Sequence, residues 1–173
     1  MNRQLNLSVW VPDQPWLLGP TAKYPGKSLE QLMFQNYSYV YHLWWIRHRQ
    51  YSGKRPQDNL HRHLDWLLQT GERIVARQQC PQCHKRLVAK YAINAPYSSH
   101  SCCQSGACQT KVKNHFNYPE SIGLISLTFG SLWQFTAQRQ RQGVINNLFK
   151  WAWQIDRFTT ENCWQLFINP NNE

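Results

Sequence analysis

Acidic residues are scarce in this chain. Asp and Glu number nine against nineteen Lys and Arg, which leaves a formal net charge of +10 over 173 residues. The nine acids (Asp13, Glu30, Asp58, Asp65, Glu72, Glu120, Asp156, Glu161 and Glu173) are scattered, with no Asp-x-Asp or Glu-x-Lys pair. Metal-dependent nucleases need clustered carboxylates to hold magnesium, so the scarcity argues against that chemistry. Also missing are a phosphate-cradling glycine-rich loop, a nucleophile elbow and a dinucleotide fingerprint. No catalytic residues are assigned, and a non-catalytic role is expected. A histidine nuclease built from His42, His48, His61 and His63 is the competing enzyme reading. His61 and His63 lie two apart, however, which sets them on different sides of a helix.

Long apolar runs are absent as well. No stretch of about 18 apolar residues occurs, so no transmembrane helix is expected. The opening MNRQLNLSVWVPDQPWLL has neither an apolar h-region nor a small-residue cleavage site, and does not read as a signal peptide. The expectation is a cytoplasmic protein without membrane contact, in a compartment that keeps thiols reduced. That disfavours disulfides and favours metal.

What is present is concentrated. Five of the six cysteines, Cys80, Cys83, Cys102, Cys103 and Cys108, fall in a 29-residue window. Cys80-Pro81-Gln82-Cys83 is a tight turn that aims two sulfurs at one point, and a second cluster follows after a loop. This is the spacing of a tetrahedral zinc site, in which Cys-x-x-Cys brings both sulfurs to about 2.3 Å from the ion. The expected ligands of Zn²⁺ are Cys80, Cys83, Cys103 and Cys108. Cys102 is an alternate third ligand, and His100 is able to replace one cysteine. Four cysteines close the coordination sphere, which makes the metal structural. The zinc deaminase pattern is not matched, because Pro81 follows Cys80 and no His-x-Glu occurs. Cys163 lies in an apolar helical stretch and reads as core.

The positive charge gathers around this window. Residues 47 to 113 hold twelve of the Lys and Arg: Arg47, Arg49, Lys54, Arg55, Arg62, Arg73, Arg77, Lys85, Arg86, Lys90, Lys111 and Lys113. Against them stand three acids, Asp58, Asp65 and Glu72, so this stretch carries +9 of the total. Such a field attracts polyanions, above all phosphate backbones. Tyr91, Tyr97 and Trp66 are the candidate stacking partners for bases. Of the nine tryptophans, seven or eight are expected in the core.

Three segments follow from the patterning. In residues 1–53, Ser28 and Gln31 form a capping box for a helix that Asn36-Tyr37 interrupts and that Ser38 resumes through about Arg49. Residues 54–115 open with a helix whose stripe is Leu60, Leu64, Leu67, Leu68, Ile74 and Val75, with Gly71 in its middle. His61, Arg62, Arg73 and Arg77 lie on its other side, and the metal element follows. Residues 116–173 form an apolar body. There Ile125, Leu127 and Phe129 alternate like a strand, with a buried helix as the alternative, Val144 to Ile155 make a helical face, and Thr159 or Thr160 caps a last helix. The fold class is α+β, mainly helical, with a zinc-ribbon or knuckle element between helices.

Lys23-Tyr24-Pro25-Gly26-Lys27-Ser28-Leu29, followed by Tyr39-Val40-Tyr41-His42-Leu43-Trp44, resembles the small C-terminal domain of exodeoxyribonuclease X-like proteins. The resemblance covers about residues 18–46, and Thr21-Ala22 stands where that family has Phe-Gly. It implies a strand-turn-helix-helix module that rides on DNA-processing proteins, and it carries no catalytic residue across.

The resulting expectation is a zinc-stabilised nucleic-acid-binding protein, DNA or RNA, working as an accessory subunit beside other proteins of a nucleoprotein complex. A module that docks on a partner protein through its zinc element is the alternative, and a nuclease is third.

Overall fold

Ser28 starts the first helix by accepting a hydrogen bond from Gln31 N at 3.1 Å on its Oγ. This is seen in a computed structural model that describes residues 10–50, 58–92, 100–134 and 142–170. The expected capping box is half formed, since the Gln31 side chain donates instead to Phe158 O at 2.5 Å. Before the helix, an antiparallel bridge between Leu17 and Ser28 closes a turn in which Gly26 takes φ +74°. Helix α1 (Leu29–Gln50) kinks at Asn36. Asn36 Oδ1 accepts from Tyr39 N at 3.3 Å, so Asn36, rather than Ser38, caps the second stretch.

Helix α2 (Asn59–Gly71) begins at Asp58, whose side chain accepts from His61 N at 2.6 Å. It ends earlier than the apolar stripe suggests. Glu72 N and Arg73 N close the last turn on Leu68 O and Thr70 O, and the chain leaves the helix there. Ile74 is buried and Val75 is exposed beyond it. Gly71 is therefore the terminal residue, not a weak middle. A Cβ there would meet Met33 Cε at 2.8 Å.

Three short strands follow: β1 (Lys90–Ala92), β2 (Ser101–Cys102) and β3 (Leu124–Ser126). They form one antiparallel sheet in the order β2-β1-β3, with Lys90 opposite both Cys102 and Ser126. Helix α3 (Gly106–Lys113) connects β2 towards β3. The expected strand through Phe129 stops at Ser126. Thr128 Oγ1 accepts from Ser131 N at 3.3 Å, which turns the chain into α4 (Phe129–Gln134). Two further helices, α5 (Gln142–Trp153) and α6 (Thr160–Ile168), complete the described residues, and Thr159 caps the last.

The architecture is α+β and mainly helical, with the cysteine cluster in the region between helices. The main core draws on all three sequence segments. Phe34 sits amid Phe129, Phe149 and Phe158, with ring centroids 4.9, 5.3 and 5.2 Å away. Burying such a ring stabilises the fold by about 1.5–3 kcal/mol. Seven tryptophans pack into this core or onto it, while Trp10 and Trp45 are exposed. Cys163 is fully buried in it, as its helix predicts. The side chains of Val144 and Ile145 lie outside the described ones. Among the described residues no helix is long and apolar enough to cross a membrane.

Candidate metal centre

The Cys-x-x-Cys segment folds as its sequence requires. Gln79 bridges to Leu87 in antiparallel fashion, and Cys80 N donates to Arg86 O at 2.7 Å, so the chain doubles back tightly. Inside this loop His84 N donates to Cys80 O at 2.8 Å, and His84 adopts φ 54°. That left-handed conformation, which glycine takes at no steric cost, completes the turn. Backbone N–H groups then point at sulfur. Those of Lys85 and Arg86 bond Cys83, and Cys103 N donates to Cys80 Sγ at 3.3 Å. Cys103 comes from the residue after β2, and Cys108 from the first turns of α3.

Four sulfurs converge. Those of Cys80, Cys83, Cys103 and Cys108 lie within 4.8 Å of one another, and the Cys83 and Cys103 sulfurs are 4.0 Å apart. Tetrahedral thiolates at about 2.3 Å from one ion would be roughly 3.8 Å apart, so the cage fits a metal. Three of the four are buried and Cys83 is half-exposed. All six cysteines are free thiols. The described residues contain no other group of three or more His, Cys, Asp or Glu with this closeness.

The alternates fall outside the cage. Cys102 and Cys103 are adjacent on extended chain, where successive side chains point to opposite faces, so one of them reaches the centre. Burial pushes the Cys102 thiol up to about 11. His100 packs its ring on Phe116, 5.0 Å between centroids, and edge-on to His115. Within the cage, the N–H of Lys85 and further donors hold Cys83 down at about 7. Burial pushes Cys108 up to about 12.

From Arg73 to Pro119 the chain contains no Asp or Glu. Arg73, Lys85, Arg86 and Lys111 are exposed there, and Arg77, Lys90 and Lys113 are half-buried. Among the described residues Lys85, Arg86, Lys90, Lys111 and Lys113 form no ion pair. The other expected contacts stand differently. Arg62 is exposed on α2, Arg47 pairs with Asp58 at 3.0 Å, and Arg49 lies over the Trp45 ring at 4.6 Å. Lys54, Arg55 and Tyr97 lie outside the described residues.

Two expectations fail. Tyr91 and Trp66 are buried at 4 % and 6 % exposure, so neither is open to a base. His61, expected opposite the apolar stripe, is buried, as is His63: His61 Nε2 lies 3.6 Å from Asp65, and His63 Nε2 lies 2.5 Å from Glu30. The Glu30–His63 pair was not visible in the sequence, because 33 residues separate its members.

Set against models of known protein families, curated proteins and solved structures, the chain matches none.

Proposed function

We propose that Cys80, Cys83, Cys103 and Cys108 hold one zinc ion as a closed structural site, and that the element it staples binds nucleic acid. The role is non-catalytic, that of a cytosolic accessory subunit acting beside other proteins of a DNA- or RNA-processing complex. The observation that carries this reading is the cage's setting: four convergent thiolates within a stretch free of acids, in which Lys85, Arg86, Lys90, Lys111 and Lys113 form no ion pair among the described residues. Four thiolates around a divalent ion leave a net charge of about −2, which nearby cations offset, and the surplus faces solvent. Soft tetrahedral sulfur selects zinc or iron, and a reducing compartment keeps the thiols available.

Native mass spectrometry should show one zinc per chain, and a coloured iron centre would refute the metal assignment. Binding of labelled DNA and RNA should weaken steeply with salt, by about 0.9 in the log–log slope per phosphate contact. Lys85→Glu/Arg86→Glu should weaken it further without unfolding the protein. Salt-insensitive capture of one protein, with no affinity for either nucleic acid, would replace this reading with a docking module.

A further inference from the structure

With Tyr91 and Trp66 buried, base stacking needs another surface, and the side of α1 on which Tyr41 and Trp45 are exposed supplies one. Tyr37, Tyr41, Trp44 and His48 recur at offsets of 4, 7 and 11, which returns them to one stripe of a helix. Their rings follow one another with centroids 6.1, 5.4 and 4.8 Å apart. Eleven residues at 1.5 Å rise give the ladder a length of about 16 Å. Alongside it Trp45 sits one turn after Tyr41, and these two are 42 % and 46 % exposed in a chain that packs most of its indoles away.

The ladder is held in place from beneath. Trp44 Nε1 donates to Asp65 Oδ1 at 2.6 Å, which fixes the indole on α2 and spares the ordering cost on binding. The charge suits a phosphate strand. Between Glu30 and Asp58 the chain carries no acid. Asp58 is engaged by Arg47, and Arg49 spreads its guanidinium over the Trp45 ring at 4.6 Å.

We propose that this face, centred on Tyr41 and Trp45, is a stacking platform for unpaired bases, so that the nucleic acid held by this chain is single-stranded. The inference rests on the nucleic-acid reading and adds strandedness and a location to it. A duplex keeps its base faces stacked on one another and has none to offer a side chain, whereas a single strand presents a π-face at every base. Arg49 and His42, which flank the Trp45 ring at 4.6 and 6.3 Å, would give way on binding, Arg49 to the strand's phosphates, so that the rings meet its bases.

The test compares a labelled oligothymidine with a labelled hairpin duplex, by fluorescence anisotropy, on the full chain and on Tyr41→Ala/Trp45→Ala. The variant should lose about tenfold or more in oligothymidine affinity, change hairpin affinity by less than about twofold, and melt as the wild type does. Should the Ala pair loosen the helix, Tyr41→Leu/Trp45→Leu keeps apolar bulk, removes the π-faces and is expected to give the same pattern. Tyr41→Phe/Trp45→Phe should retain binding. Equal loss on both probes, or no loss on either, overturns the platform while leaving salt-dependent binding elsewhere on the chain intact. If the wild type binds neither probe, the nucleic-acid reading falls and takes the platform with it.

Discussion

Glu30 Oε1 and His63 Nε2 lie 2.5 Å apart, with both side chains essentially excluded from solvent. Trp16 N donates to the same carboxylate oxygen at 3.4 Å, and the rings of Trp16 and Trp66 pack edgewise on the imidazole. One polar pair therefore joins the segment before α1, the first turn of α1 and the middle of α2. Breaking such a pair from one side leaves a buried group uncompensated, at a cost of about 3–5 kcal/mol. Glu30→Ala should lower stability by that amount in urea denaturation. The double variant Glu30→Leu/His63→Leu should lose clearly less than the sum of the single changes. Additive losses would show that the two side chains are not coupled.

Cys103 and Cys102 are neighbours with opposite assignments. Cys103→Ser should abolish stoichiometric metal binding and loosen residues 78–115, read as faster amide exchange in β1, β2 and α3. Cys102→Ser should keep the metal and cost only the burial of a hydroxyl, about 1–3 kcal/mol. Metal loss in the Cys102 variant and retention in the Cys103 variant would exchange the two roles.

Thiol reactivity should rank by environment. In metal-stripped protein Cys83, held down at about 7 by the N–H of Lys85, ionises more readily than an ordinary thiol. Cys102 and Cys108, pushed up by burial to about 11 and about 12, remain thiols until strongly alkaline solution. The thiolate is the nucleophile, so iodoacetamide should label Cys83 first, with a rate that rises through pH 7. Peptide mapping checks the order, and faster labelling at Cys108 would contradict it.

Gly71→Ala sets helix propensity against packing. The last residue of α2 gains less than the roughly 1 kcal/mol that Ala provides mid-helix. Its Cβ would stand 2.8 Å from Met33 Cε, and Met33 is fully buried. Overpacking typically costs about 1–3 kcal/mol, so a net loss of about 1 kcal/mol is expected. A raised melting temperature would show that Met33 yields freely.

Local chemistry was legible in the sequence, and pairing over distance was not. The Cys80–Cys83 knuckle, the Asn36 interruption and the Thr159 cap each depend on residues within a few positions. The choice between Cys102 and Cys103 turns on which face of extended chain meets the knuckle, and spacing leaves that open. Ile74 and Val75 continue a helical period by coincidence, since the helix ends where Gly71 lets Met33 approach. Phe129 fits a strand alternation, but the Thr128 hydroxyl caps a helix there. Glu30 and His63 are 33 residues apart, and only tertiary packing brings them together. The cationic residues were legible as a charge count, whereas the lack of an ion pair at Lys85, Arg86, Lys90, Lys111 and Lys113 among the described residues required the structure.

The most direct test is to titrate a labelled oligonucleotide into the protein before and after zinc is removed by a chelator, across a range of salt. The metal-loaded protein should bind with a steep inverse dependence on salt. Removing the ion should abolish that binding, and stoichiometric zinc should restore it. Undiminished affinity after complete metal removal, or affinity indifferent to salt, would contradict the account.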